Sequence, residues 1–299
     1  MNLFLKKITY FSFLLISVVL TFISFYYFQF KSRLIFSDNI QTVILGDSHT
    51  QNGLNDNIIN NSINYSNSAE PLILTHAKLR YIINNNYQIE NVILSLHSFS
   101  LTEKSELDWL GHENIFKSFG PIFPTFNFDD YSQFYNEFGV SGFVNVLHSI
   151  TYHSIFSVEK KIINIFSTNI NNADLFIGGY TPNNKIMNSL EEPTDQPSNN
   201  LELNDMFSDN YSQIQLSYLK KIITICEKNS INLLLVDTPI YKKKYKQKIP
   251  FEFFDKEKFE YLDLSELPLD YSFFADRSHL NPKGADSLSL IINSEINEL

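Results

Sequence analysis

Thr42-Val43-Ile44-Leu45-Gly46-Asp47-Ser48-His49-Thr50 is the stretch from which the fold can be read. Thr42–Leu45 is short, apolar and β-branched, and Gly46 closes it. Such a run reads as a buried strand meeting a turn. Working outward, Val92–Leu96 and Ile231–Val236 repeat the pattern, Ile63–Ser66 is a weaker version, and Glu260–Leu264 supplies a last strand. Between them lie helical patterns: Leu72–Ile83, stopped by Asn84-Asn85-Asn86, then Tyr211–Lys228 and Pro282–Ile296. Asn281 reads as the N-cap of the last helix, with Pro282 at its first position. Short apolar strands alternating with helices predict an α/β fold, three-layer α/β/α with a mainly parallel sheet.

The alternation is interrupted over 101–208, which is rich in Phe, Asn, Ser and Pro. Helix-like pieces appear near Tyr131–Phe138 and Ile150–Ile165, whereas Gly178–Pro182 and Glu191–Asn200 read as loops. So long an excursion reads as an insertion rather than part of the sheet. At the other end, Ile8–Phe30 carries no charged residue. Its length suits about 30 Å of hydrocarbon, and Tyr26 and Tyr27 sit where aromatic rings favour the interface. No small-x-small cleavage site follows it, so the segment reads as an uncleaved anchor. Lys6 and Lys7 precede it and Lys31 and Arg33 follow it, a near balance that leans to N-terminus in, domain out. The expected organisation is a tip and anchor over 1–31 and a domain over 32–299, with its core at 40–100 and 209–299.

The chain has 299 residues, 23 Lys and Arg against 33 Asp and Glu, and a net charge of −10. That sign repels phosphates and argues against nucleic-acid binding. The basic run Lys242–Lys248 reads as a solvated face; Asp129, Asp130, Glu137, Glu191 and Glu192 read as acidic loops. The single cysteine, Cys226, excludes an intrachain disulfide and reads as a small core residue. His76, His112, His148 and His153 lack ligand spacing or Cys partners, so no metal is expected, and no Walker loop or G-x-G-x-x-G suggests a nucleotide cofactor.

Two segments carry chemistry. Ser48 follows a strand's carboxyl end, where α/β folds bind ligands and where N–H groups of the next turn can face an oxyanion. Far away, Phe274-Ala275-Asp276-Arg277-Ser278-His279-Leu280-Asn281-Pro282 sets Asp276 and His279 three residues apart just before a helix. A serine hydroxyl needs an adjacent base, itself held in one tautomer by an acceptor. Either segment alone is an ordinary turn or cap.

Together, Gly46-Asp47-Ser48 after the first strand and Asp276-x-x-His279-Leu280-Asn281-x-x-Gly284 before the last helix resemble the SGNH/GDSL hydrolase family. The resemblance covers 40–100 and 209–299. It implies an SGNH/flavodoxin-like fold with Ser48 as nucleophile, His279 as base and Asp276 as its orienter. The family's middle blocks are altered. The oxyanion glycine after the second strand is replaced by Asn64-Tyr65-Ser66-Asn67-Ser68-Ala69, where a main-chain N–H of Asn67 or Ser68 would have to serve. In place of Gly-x-Asn-Asp stands Leu94-Ser95-Leu96-His97-Ser98, so His97 is either a stand-in donor or a packed structural residue. The oxyanion and substrate-binding candidates are thus Ser48, Asn67, Ser68 and His97, with His49 at the cleft rim. Membrane-tethered members of this look, such as those similar to the alginate-acetylation proteins, handle cell-surface glycans.

The resemblance therefore implies a serine esterase or O-acyltransferase, without cofactor or metal, acting outside the cytoplasm on an acylated glycan or small ester. Its expected partners are membrane lipid, through the anchor, and a membrane protein that delivers the acyl group. The other reading is a catalytically silent SGNH-like binding or assembly factor for glycan export. A phosphodiester or lipid esterase would carry the same triad.

Overall fold

The computed structural model describes residues 2–110, 119–166, 178–187, 210–241, 249–255 and 258–296. Lys242–Lys248, Glu191–Asn200 and His112 lie outside them. The chain forms two compact units: one combines Met1–Ile35 with His112–Ile177, the other Phe36–Gly111 with Gly178–Leu299.

The larger unit is an α/β fold with a five-stranded, all-parallel sheet. β1 (Thr42–Leu45), β2 (Ser62–Asn64), β3 (Asn91–Ser95), β4 (Asn232–Asp237) and β5 (Glu260–Asp263) stand in the order β2-β1-β3-β4-β5. Val43 pairs with Ile63 and Val92, and Ile93 with Leu234. β1 is buried along its whole length and β4 everywhere but Asn232, as expected when both faces of a parallel strand are covered. Successive side chains point to opposite faces. Ile44, Ile93, Leu234 and Val236 thus share one face and join Leu54, Phe274, Leu280, Leu288 and Ile292 in a single apolar cluster. β5, at the edge, is largely exposed and begins and ends on charged residues, which discourages pairing with another chain.

The α-helices of this unit are α2 (Ser48–Gly53), α3 (Leu72–Asn85), α4 (Glu103–Leu110), α6 (Gln213–Lys228) and α7 (Pro282–Ile296), with α1 (Asn2–Arg33) and α5 (Phe128–Phe166) in the other unit. α3 packs on α6 and α2 on α7. Ser212 caps α6 through its hydroxyl, and Cys226 is buried on the same helix. Asn281 caps α7 by accepting the Gly284 N–H at 3.2 Å, as the sequence predicts. Gly178–Met187 belongs here too, and it lies along α2: Thr181 N–H donates to Gln51 at 3.1 Å and Asn52 to the Thr181 carbonyl at 2.8 Å.

A fully buried ion pair braces the loop after β2. Lys78 on α3 reaches Glu70 at 2.7 Å and also donates to the Tyr65 carbonyl, while Thr75 donates to Glu70 at 2.8 Å. Burial raises the Glu70 carboxyl and lowers the Lys78 ammonium, and their mutual attraction works against both shifts.

In the other unit, α1 (Asn2–Arg33) contains the apolar segment Leu3–Ser32, which is long enough to cross a membrane. Its far end is buried: Tyr26 donates to the Pro121 carbonyl at 2.7 Å and its ring stacks on Phe123 at 5.7 Å. α5 (Phe128–Phe166) is one long helix with a break at Gly139, where φ is 64°. The helix-like pieces expected near Tyr131–Phe138 and Ile150–Ile165 both fall within α5, which is longer than either, and α4 adds a helix the sequence reading did not name. Asp130 also differs from its reading as a solvated acid. It is buried at the start of α5, accepting the Asn127 N–H at 2.9 Å while Asn127 accepts its own N–H at 2.9 Å. That reciprocal pair is a helix cap. The expected boundaries, a domain over 32–299 with an insertion at 101–208, cut the chain differently from these two units.

Candidate active site

The site forms at the carboxyl ends of β1, β3 and β4. In a sheet of this order the chain turns back on itself between β1 and β3, and ligands bind outside that point. Gly46 makes the exit from β1 possible. Its φ is 148°, and a Cβ there would lie 2.2 Å from Thr50 Oγ1 and 3.3 Å from Ser95. Asp47 follows as N-cap of α2, its carboxylate accepting the His49 N–H at 2.9 Å. Ser48 is thereby the first helical residue, partly exposed, with its hydroxyl turned to the loop before α7.

That loop is tightly pinned. Ala275 N–H donates to the His279 carbonyl at 2.8 Å, and Asn281 donates to the Ser272 and Phe274 carbonyls at 2.8 and 3.2 Å. A Cβ on Gly284 would lie 2.2 Å from the Phe273 carbonyl, so the glycine lets α7 start against this loop. The result is a linear hydrogen-bonded set. His279 Nε2 lies 2.9 Å from Ser48 Oγ, and His279 Nδ1 lies 3.0 Å from each oxygen of Asp276. Asp276 Oδ1 also accepts the N–H groups of Ser278 and His279 at 2.8 and 2.9 Å. Partial burial works against its charge, but these hydrogen bonds and the imidazole outweigh it and hold the carboxyl below its ordinary value. An Nδ1–H fixed on Asp276 leaves Nε2 free to accept the Ser48 proton.

The remaining candidates are differently disposed. The Asn67 N–H is taken by the Gly46 carbonyl at 3.1 Å, so it does not face the cleft as an oxyanion donor. Ser68 is exposed, its hydroxyl donating to Gln51 at 2.8 Å. His97 is buried, with Nδ1 2.6 Å from Asp237 and Nε2 3.1 Å from Thr238 Oγ1. Both ring nitrogens are committed, which gives it a structural place rather than that of a stand-in donor. The Ser48 N–H, first in its helix, has no intrahelical acceptor and remains available.

Asp237 and Thr238 were not legible as site residues, since their partner lies on another loop. His49 bridges the two histidine systems: its ring stands 4.4 Å from His97 and 5.1 Å from His279. Asp47, His49 and His97 also bring three ligand-type atoms within 4.8 Å of one another. The sequence offers no spacing signal for that group either. A metal there would have to take a ring nitrogen of His97 from Asp237 or Thr238 and share Asp47 with the cap of α2.

Compared with known proteins, the sequence matches no family model, and no curated protein aligns with it significantly.

Proposed function

We propose that the chain is a serine-dependent ester hydrolase or O-acyltransferase of the SGNH/GDSL type. The observation that carries this reading is the continuous set Ser48–His279–Asp276, with contacts of 2.9, 3.0 and 3.0 Å. Ser48 Oγ attacks an acyl carbonyl while His279 Nε2 takes its proton. His279 then returns the proton to the leaving alcohol, and a covalent acyl-serine remains. Water or a sugar hydroxyl, deprotonated by the same imidazole, releases the acyl group. Asp276 keeps the imidazole in the tautomer this needs and stabilises its cation. The Ser48 N–H supports the oxyanion; loss of one such donor elsewhere in the hole costs roughly 3 kcal/mol, so slow turnover is expected.

The three-layer arrangement belongs to the same reading. Right-handed crossovers in a β2-β1-β3-β4-β5 sheet send α2 to one face and α3 and α6 to the other. The packing of α3 with α6, and of α2 with α7, supports it. With an apolar helix at the N-terminus, the substrate is an O-acyl group on a cell-surface polysaccharide outside the cytoplasm, the acyl group coming from a membrane partner.

The commitment of Asn67 N–H and His97 to other partners favours one competing reading, a silent binding or assembly factor. Turnover of p-nitrophenyl acetate by the full chain, beside Ser48→Ala, separates the two. Turnover lost with Ser48→Ala supports the enzyme. No turnover, together with no fluorophosphonate labelling of Ser48, overturns it.

A further inference from the structure

We propose that the outer face of α5 beyond Gly139 lies against the lipid bilayer, so that the protein meets the membrane through two helices. The inference starts from an inverted pattern. From Phe138 to Val158 the chain contains no Lys, Arg, Asp or Glu. As helix that stretch is about 30 Å long. Val140, Val144, Leu147 and Ile155 share one side of it at helical spacing and are 64, 54, 47 and 40% exposed, with Ser141, His148 and Tyr152 exposed along one margin of that side.

The inward side is built from small and polar residues instead. Gly142, Ser149, Ser154 and Ser157 are buried there beside Val146 and Ile150. The hydroxyls of Ser154 and Ser157 turn back to helix carbonyls at 2.7 and 3.2 Å, so they need no water. Small residues also permit unusually close packing. A Cβ on Gly120 would fall 2.0 Å from the His153 ring and 2.7 Å from the Ser149 carbonyl. A helix folding in water hides its large apolar residues and leaves the small polar ones outside. In lipid the preference reverses: small residues bring backbones together and apolar side chains face the acyl chains.

Lipid is the occupant because of what α5 packs on. Within its unit α5 lies along α1, the helix with a membrane-length apolar segment. An apolar face beside a membrane-embedded helix continues the same lipid-facing surface. The proposal rests on α1 being that anchor, and the test carries a separate readout for it.

The test uses the full chain in phosphatidylcholine vesicles, with single cysteines at Val144→Cys, Leu147→Cys and Ile155→Cys labelled with an environment-sensitive fluorophore before reconstitution. The only native cysteine is silent: Cys226 is buried, which pushes its thiol up to about 12. Leu14→Cys on α1 reports the anchor, and Tyr87→Cys, 93% exposed in the α/β unit, reports water. The three α5 labels should be quenched several-fold more by brominated acyl chains than by iodide, like Leu14→Cys and opposite to Tyr87→Cys. Quenching by iodide at the α5 positions, with Leu14→Cys still lipid-quenched, overturns the proposal. Protection from both quenchers overturns it too, and would assign the face to a second protein surface. Iodide quenching of Leu14→Cys itself would remove the anchor and the proposal with it.

Discussion

Asp276→Asn is the substitution that most directly tests the proposed tautomer logic. The carboxylate does two jobs in the structure: Oδ1 accepts two main-chain N–H groups at 2.8 and 2.9 Å, and both oxygens face His279 Nδ1 at 3.0 Å. An asparagine oxygen still serves the main chain, so the loop keeps its shape. Its NH2 group then faces Nδ1 and drives the imidazole proton to Nε2. Nε2, 2.9 Å from Ser48 Oγ, can no longer accept the serine proton. In an enclosed triad this inversion costs about 10⁴-fold, or about 5.5 kcal/mol. Here the Asp276 side chain is 47% exposed, so water competes for both groups and softens the penalty. Halving it for screening gives a lower bound of about 2.7 kcal/mol, roughly 10²-fold. The assay is kcat/KM for p-nitrophenyl acetate with the full chain, read beside Tm. The expected result is a loss of about 10²- to 10⁴-fold in a protein that still folds, its Tm lowered only by the stabilisation the carboxylate itself supplies. Turnover within threefold of the parent, in a protein where Ser48→Ala abolishes it, would refute the reasoning and leave Asp276 as a loop brace only.

The depressed Asp276 carboxyl also has a pH signature. A folded-state pKa below the unfolded one stabilises above the unfolded value of about 3.9 and loses that contribution as pH falls through the folded value. The gap in urea stability between parent and Asp276→Asn should therefore be flat above about pH 5 and narrow below it; a gap that persists in strong acid contradicts the assignment. Gly284→Ala should cost about 1–3 kcal/mol in urea melts, since its Cβ would fall 2.2 Å from the Phe273 carbonyl; a neutral effect would show that α7 can shift. Lys78→Met should destabilise by about 3–5 kcal/mol because it strands a buried carboxylate, and Lys78→Met with Glu70→Gln should recover much of that loss. Additive losses would mean that the pair does not act as a unit. EDTA should leave ester turnover unchanged; loss restored by zinc would hand Asp47, His49 and His97 to a metal instead.

What could be read from the chain beforehand depended on how local its causes are. β1, β3 and β4 were legible because a parallel strand covered on both faces must be apolar almost throughout, and Val43–Leu45, Val92–Leu94 and Leu233–Val236 are. Asp276 and His279 were legible because three residues and a helix start fix their relation. His97 was ambiguous because its role depends on Asp237 and Thr238, which lie 140 and 141 positions away. The Asn67 N–H was misread for the same reason, its acceptor being Gly46 on the neighbouring strand exit. α5 was only partly seen. Its buried side carries Gly142, Ser149, Ser154 and Ser157, so a search for apolar residues facing inward finds no clean stripe.

The pairing of β3 with β4 joins Asn91 to Asn232, residues 141 positions apart. At about 5–20 residues per second, the ribosome needs roughly 7–28 s to span that interval. Throughout it, β1, β2 and β3 exist with the β4-facing hydrogen-bonding groups of β3 unfilled, an edge open to strands of other chains. α1 emerges first and α5 is made inside the same interval. Early capture of the nascent chain by the membrane would spread these half-built sheets across a surface and keep them from meeting in solution. Expression without residues 1–35 should then yield inclusion bodies in proportion to the number of chains in synthesis at once, and slowing elongation, which lengthens the exposed interval, should not rescue it.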